Sequence, residues 1–125
     1  MANFNIGARE AVIASFARTP IGKAYRGAFN DTGAPALAGA AIAAAVERAG
    51  IDGAEVDDCV MGCAMPQGSS GLNIGRSGAL AAGLPVSVSG MTLDRQCSSG
   101  MMAIATAAKQ IVADGMTTVV GGGVE

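Results

Sequence analysis

The segment Asp94-Arg95-Gln96-Cys97-Ser98-Ser99-Gly100 holds the strongest candidate for chemistry in this chain of 125 residues. It joins an apolar stretch that reads as a strand to one that reads as a helix. A cysteine at a helix start faces backbone N–H groups that lack intrahelical partners, and the positive end of the helix dipole. Such a setting stabilises thiolate over thiol and makes a nucleophile. The same N–H groups can hold the oxyanion formed when a thiolate attacks a carbonyl. Gly100 permits close approach of backbone or ligand, and Arg95 adds a positive charge. The alternative is a thiol that only packs against a sheet, and local chemistry leaves both readings open.

The other candidates carry less. Arg18, Lys23 and Arg26 share a loop that could hold a phosphate, but three cations in a polar loop are commonly just solvated. Gly121-Gly122-Gly123 follows a β-branched run but lacks the Gly-x-Gly-x-x-Gly spacing and a following helix. Close backbone packing, or a strand end beside a pocket, is the simpler use. Asp57 and Asp58 are adjacent in a strand, so their side chains face opposite ways and do not form a carboxylate pair. Met101 and Met102 read as core filler. Cys59 and Cys63 read as two buried thiols. Four strand residues separate them by about 13 Å, beyond disulfide reach, and Cys-x-x-x-Cys without further ligands is a weak metal pattern.

Composition bounds these readings. There is no histidine, so a His-based metal site or a self-contained Cys-His catalyst is excluded within these residues. Net charge is −2 with no basic run, which argues against nucleic acid as a partner. The longest uncharged apolar stretch, residues 33–46, is too short and too rich in Ala and Gly to span a bilayer. The N-terminus shows no basic region followed by an apolar run, so no secretory leader is expected. Three cysteines, an odd and low count, suit a reducing cytoplasm.

The elements that must position Cys97 follow from pattern. Residues 10–17 read as a first strand and 18–27 as a loop. A helix is expected over 35–49, with Pro35 in its first turn and Gly50 as a left-handed cap. A second strand lies in 56–65, apolar enough to be covered on both faces. A helix over 73–82 has Asn73 as N-cap. A third strand lies in 86–96, a third helix runs from Cys97 or Ser98 to Asp114, and a fourth strand covers 117–124. Alternating strands and helices give an α/β fold with a mainly parallel sheet. In the third helix Met101, Ile104, Ala108 and Ile111 form one apolar stripe, and most of the remaining surface is apolar too. Such a helix needs cover on nearly all sides, more than one four-stranded sheet supplies.

Five motifs then carry a resemblance. Arg18-Thr-Pro-Ile-Gly-Lys23, Met61-Gly-Cys63, Asn73-Ile-Gly-Arg76, Met91-Thr-Leu-Asp-Arg-Gln-Cys97-Ser-Ser-Gly100 and Gly121-Gly-Gly-Val-Glu125 stand in the order and spacing of the thiolase family. Within it the acetyl-CoA acetyltransferases are the nearer resemblance. Gly75, where Ala is common, and Met101-Met102, where Leu-Gln is common, are minor departures.

The resemblance implies a layered α/β/α/β/α fold with a mainly parallel sheet and a buried central helix, of which residues 1–125 form an incomplete N-terminal domain. It implies Cys97 as the acyl-accepting nucleophile, with its backbone N–H as an oxyanion donor. The expected reaction condenses two acetyl-CoA to acetoacetyl-CoA, or runs the reverse thiolysis. The alternatives are a degradative 3-ketoacyl-CoA thiolase, a ketoacyl synthase-like condensing enzyme, or a catalytically incomplete assembly module. Expected partners are acetyl-CoA, acetoacetyl-CoA or another 3-ketoacyl-CoA, coenzyme A, and copies of the chain in a homodimer or tetramer. Neither nucleic acid nor membrane is expected, and coenzyme A thioesters enter as substrates rather than as a tightly bound cofactor. The family's activating histidine, second cysteine and coenzyme A-binding loop domain belong to later motifs, so the 125 residues are expected to be inactive alone.

Overall fold

The computed structural model describes residues 9–125. The expectation about a leader at the extreme N-terminus therefore lies mostly outside the described residues. Three parallel strands form one sheet: β1 (Asp58–Gly62), β2 (Ser89–Leu93) and β3 (Val119–Gly123), in the order β2-β1-β3. Three helices accompany them: α1 (Ala34–Ala49), α2 (Ile74–Ala81) and α3 (Ser99–Ala113).

Local chemistry sets the helix ends. Pro35 sits in the first turn of α1, where its missing N–H costs nothing, and Gly50 closes the helix at φ 69°. At the start of α2, Asn73 Oδ1 accepts from the Arg76 N–H at 3.1 Å. The central strand β1 is buried throughout, as a strand covered on both faces must be. Cys59, Met61 and Cys63 share a core with Ala34, Ala38, Ile42 and Ile74 of α1 and α2. The alternate positions of β1 face α3.

The layers meet on glycine and alanine. A Cβ on Gly39 of α1 would lie 2.9 Å from Ala81 Cβ, and one on Gly78 of α2 would lie 2.9 Å from Ala38 Cβ. A Cβ on Gly121 would lie 2.9 Å from Ile104 Cα, and one on Gly123 the same distance from Gly100 Cα. The 19 glycines thus include those that bring backbone against backbone between layers.

Asp57 and Asp58 do face opposite ways. Asp57 Oδ2 accepts from the Thr117 N–H (2.7 Å), the Thr118 N–H (3.2 Å) and the Thr117 hydroxyl (3.0 Å). The two backbone N–H groups hold its carboxyl below the usual value. Asp58 is buried and accepts from the Cys59 N–H (2.8 Å), the Ser89 hydroxyl (2.9 Å) and Gln110 Nε2 (2.7 Å). It ties β1, β2 and α3 together, which is a structural task.

One expectation needs correction. Residues 10–17 form no strand, so the sheet has three strands among the described residues, not four. A strand needs a neighbour for its N–H and C=O groups. This segment instead runs beside α1, where the Ser15 hydroxyl donates to Ala45 O (2.6 Å) and Arg48 Nη1 donates to Phe16 O (2.8 Å). Its Val12, Ile13 and Phe16 are each about four-fifths exposed. The face that α3 lays on the sheet is Ser99, Ala103 and Ala107. Met101 and Ile104 are exposed on its other side. Close approach to a glycine-rich sheet selects small residues, so the larger side chains turn outward.

Candidate active site

Cys97 sits in the turn between β2 and α3, two residues before the first helical residue, Ser99. A knot of hydrogen bonds fixes the turn. Asp94 Oδ1 accepts from the Gln96 N–H at 2.7 Å. The Arg95 N–H donates to Ser99 Oγ (2.8 Å), and the Ser99 hydroxyl donates to Gln96 O (2.6 Å). The Ser98 hydroxyl donates to Arg95 O (2.9 Å). Gln96 has φ 50°, a left-handed conformation that costs a non-glycine residue about 1–3 kcal/mol. Strain held in place by its surroundings at one residue aims the next, and Cys97 is exposed.

Beside Cys97 lies a pocket of about 370 Å³. Gln96, Cys97, Ser99 and Gly100 form one wall, Gly62 and Ala64 another, and Gly123, Val124 and Glu125 the third. These walls are the start of α3 and the carboxyl ends of β1 and β3. The carboxyl ends of parallel strands are where α/β proteins bind ligands. The N–H groups of Gly100 and Met101 have no hydrogen-bond partner among the described residues, as the first turn of a helix requires. The Ser98 side chain does not cap them. The site therefore offers a thiol, free backbone donors and a cavity. That is the equipment for nucleophilic attack on a carbonyl with charge developing on oxygen.

Other candidates stand apart. Arg95 does not line the pocket. Lys23 and Arg26 are exposed, and Arg18 Nη1 donates to Thr19 O in its own loop at 3.2 Å. A larger pocket of about 580 Å³, lined by Ile13, Ala14, Ser15, Phe16 and Arg48, contains no thiol. Cys59 and Cys63 are buried, free thiols on the face of the sheet away from α3. Sequence reasoning missed Ala64 and gave Gly62, Val124 and Glu125 no place in the site, because none of the first three bears reactive chemistry. The in-register pairing of Gly62 with Gly123 brings them together.

The three thiols should separate cleanly on labelling. Burial first, and then the neighbouring Asp58 charge, push the Cys59 thiol up to about 12. Burial first, and then the Glu125 carboxylate, push Cys63 up as well. Iodoacetamide at neutral pH is expected to alkylate Cys97 roughly 10²-fold faster than either of them. Peptide mass spectrometry over a time course reads this, and equal rates would contradict it. The sign at alkaline pH also follows. A folded value above the ordinary 9.0 means that the contribution of Cys59 to stability is complete below pH 9. It is then lost as pH rises from 9 toward about 12.

A profile of the family described as "Thiolase, N-terminal domain" matches residues 11–125. The chain belongs to the thiolase family. It is 40% identical over 117 residues to a 3-ketoacyl-CoA thiolase of Bacillus subtilis, covering 94% of this chain and 30% of that protein. It is 41% identical over 114 residues to an acetyl-CoA acetyltransferase of Rhizobium meliloti, covering 91% of this chain and 28% of the relative. The crystal structure of the Bacillus anthracis acetyl-CoA acetyltransferase superposes with a TM-score of 0.85 at 42% identity, covering 94% of this chain and 29% of the other. The small α/β fold with its parallel three-stranded sheet is that of the thiolase neighbour. The chain spans about three-tenths of the length of these relatives. Among the described residues no helix is long and apolar enough to cross a membrane.

Proposed function

We propose that this chain carries the nucleophile of a thiolase acting on coenzyme A thioesters, with Cys97 as the acyl acceptor. The observation that carries the reading is the exposed Cys97 thiol beside a pocket at the carboxyl ends of β1 and β3. The Cys97 sulfur attacks the thioester carbonyl. The oxyanion that forms is held by backbone N–H groups, that of Cys97 among them. Collapse expels coenzyme A thiolate, which takes up a proton, and leaves acetyl-Cys97. In condensation, the carbanion of a second acetyl-CoA attacks the acetyl carbonyl and returns the Cys97 thiolate, giving acetoacetyl-CoA. Thiolysis is the same path reversed. Acyl exchange between thiols is nearly balanced, and because each step is reversible along one path, one site serves both directions.

The 125 residues contain no histidine to take the Cys97 proton or the α-proton. We therefore propose that they give no turnover by themselves, and that the working enzyme is a homodimer or tetramer. The name of the Bacillus subtilis relative supports a second reading, thiolysis of a 3-ketoacyl-CoA other than acetoacetyl-CoA as a degradative step. Free thiols support a reducing, cytoplasmic setting.

The test is chemical. Full-length protein incubated with acetyl-CoA and acid-quenched should yield an acetyl group on the Cys97 peptide, and none on the peptides of Cys59 or Cys63. Acetylation elsewhere, or none, would remove Cys97 from the role. Repeating the incubation with longer 3-ketoacyl-CoA donors separates the two readings by relative rate.

A further inference from the structure

At the edge of the pocket beside Cys97, just past the ends of β1 and β3, a side chain takes the place of a sheet rung. Gly62 pairs with Gly123 in the parallel β1–β3 ladder, and the Val124 N–H donates to Gly62 O at 3.0 Å. In a parallel ladder the next rung runs from the Ala64 N–H to Val124 O. That bond is not made. The Ala64 N–H donates instead to Glu125 Oε1, a side chain one residue further along. On the other side of β1 a single bond extends past the strand, the Cys63 N–H donating to Leu93 O at 3.0 Å. There too the pairing ends, because the Arg95 N–H turns away to Ser99 Oγ; on the β3 side Gly62, Ala64, Gly123, Val124 and Glu125 line the cavity.

We propose that Glu125 is a positioning residue: its carboxylate stands in for the missing β1–β3 rung and holds the strand ends apart beside Cys97. A backbone carbonyl at that place would close the two strands and fill the space that an acyl group needs. A water molecule would satisfy the Ala64 N–H but would not fix the spacing. The carboxylate does both, because it is tethered to β3 by its own side chain. This inference rests on the reading of Cys97 as an acyl acceptor, but the clamp can be measured without it.

Two conservative substitutions in the full-length protein separate reach from charge. Glu125→Gln keeps the side-chain length and an acceptor oxygen but loses the charge. Glu125→Asp keeps the charge but is one methylene too short. Acetylation of Cys97 is expected to slow by roughly 10²-fold in Glu125→Asp, the scale of a misplacement of about 1 Å. The loss in Glu125→Gln should be at least about ten-fold smaller. The effect should fall on kcat, with KM for acetyl-CoA changing much less. Amide hydrogen exchange at Ala64 should accelerate in Glu125→Asp and remain protected in Glu125→Gln. Equal rates in both variants, or a slower Glu125→Gln, would overturn the proposal, as would unchanged exchange at Ala64. Absence of acetylation in the unsubstituted protein would sink the acyl-transfer reading, and the exchange measurement would still decide the clamp.

Discussion

Replacing Cys97 with alanine in the full-length protein is expected to lower acyl transfer by about 10⁴-fold or more, the scale seen when a covalent nucleophile is removed. Folding should be nearly unaffected. The Cys97 side chain is exposed, so its loss leaves no cavity. Every hydrogen bond of the turn uses Asp94, Gln96, Ser98, Ser99 or a backbone group, none the Cys97 thiol. Cys97→Ser keeps the shape and tests the chemistry. Its hydroxyl is far less acidic, so attack on a thioester should remain slow although the pocket is unchanged. Cys59→Ala is the matched control. It should acetylate Cys97 at a rate close to that of the unsubstituted protein, while losing stability because Cys59 is fully buried in the core. Initial rates of acetoacetyl-CoA thiolysis, with melting temperatures of all three variants, decide the matter. If Cys97→Ala retains more than about a tenth of the rate, the nucleophile is another group.

How far the sequence reveals this site depends on whether the determining contact is local. Pro35, Gly50 and Asn73 marked helix ends correctly, since a cap is made within a few residues. The turn at Cys97 was legible for the same reason. The segment 10–17 misled because strand propensity measures fit to a half-buried pleated surface, and the surface has to be present. Val12, Ile13 and Phe16 find none among the described residues. The pocket was hidden because it depends on register: Gly62 and Gly123 are 61 positions apart in the chain and directly opposed in the sheet. The face that α3 lays on the sheet was not legible, because hydrophobicity ranks Met101 and Ile104 above Ala103 and Ala107. Proximity to a glycine-lined strand pair reverses that ranking, since fit outweighs apolar area where backbones nearly touch.

The same crowding gives the second large effect, at Gly62. A Cβ built there would run into the Ser99 carbonyl and the Gly100 nitrogen. These are backbone atoms at the start of α3, not the end of a flexible side chain. Gly62→Ala must therefore push the helix start away from β1. Overpacking of this kind costs about 1–3 kcal/mol. The displacement also disturbs function, because Ser99 binds both the Arg95 N–H and Gln96 O around Cys97. Acetylation of Cys97 should slow by roughly 10²-fold even at temperatures where the variant is folded. Gly122→Ala supplies the comparison within the same sheet. Gly122 pairs with Met61, one register position away, and its added Cβ would meet only Met61 Sδ at 3.3 Å and Cε at 3.5 Å. A thioether can swing aside, so that variant should lose less than about 1 kcal/mol and keep the geometry around Cys97. Urea denaturation and acetylation rates of the pair test this directly. Equal behaviour of Gly62→Ala and Gly122→Ala would mean that the packing of α3 on β1 does not place Cys97.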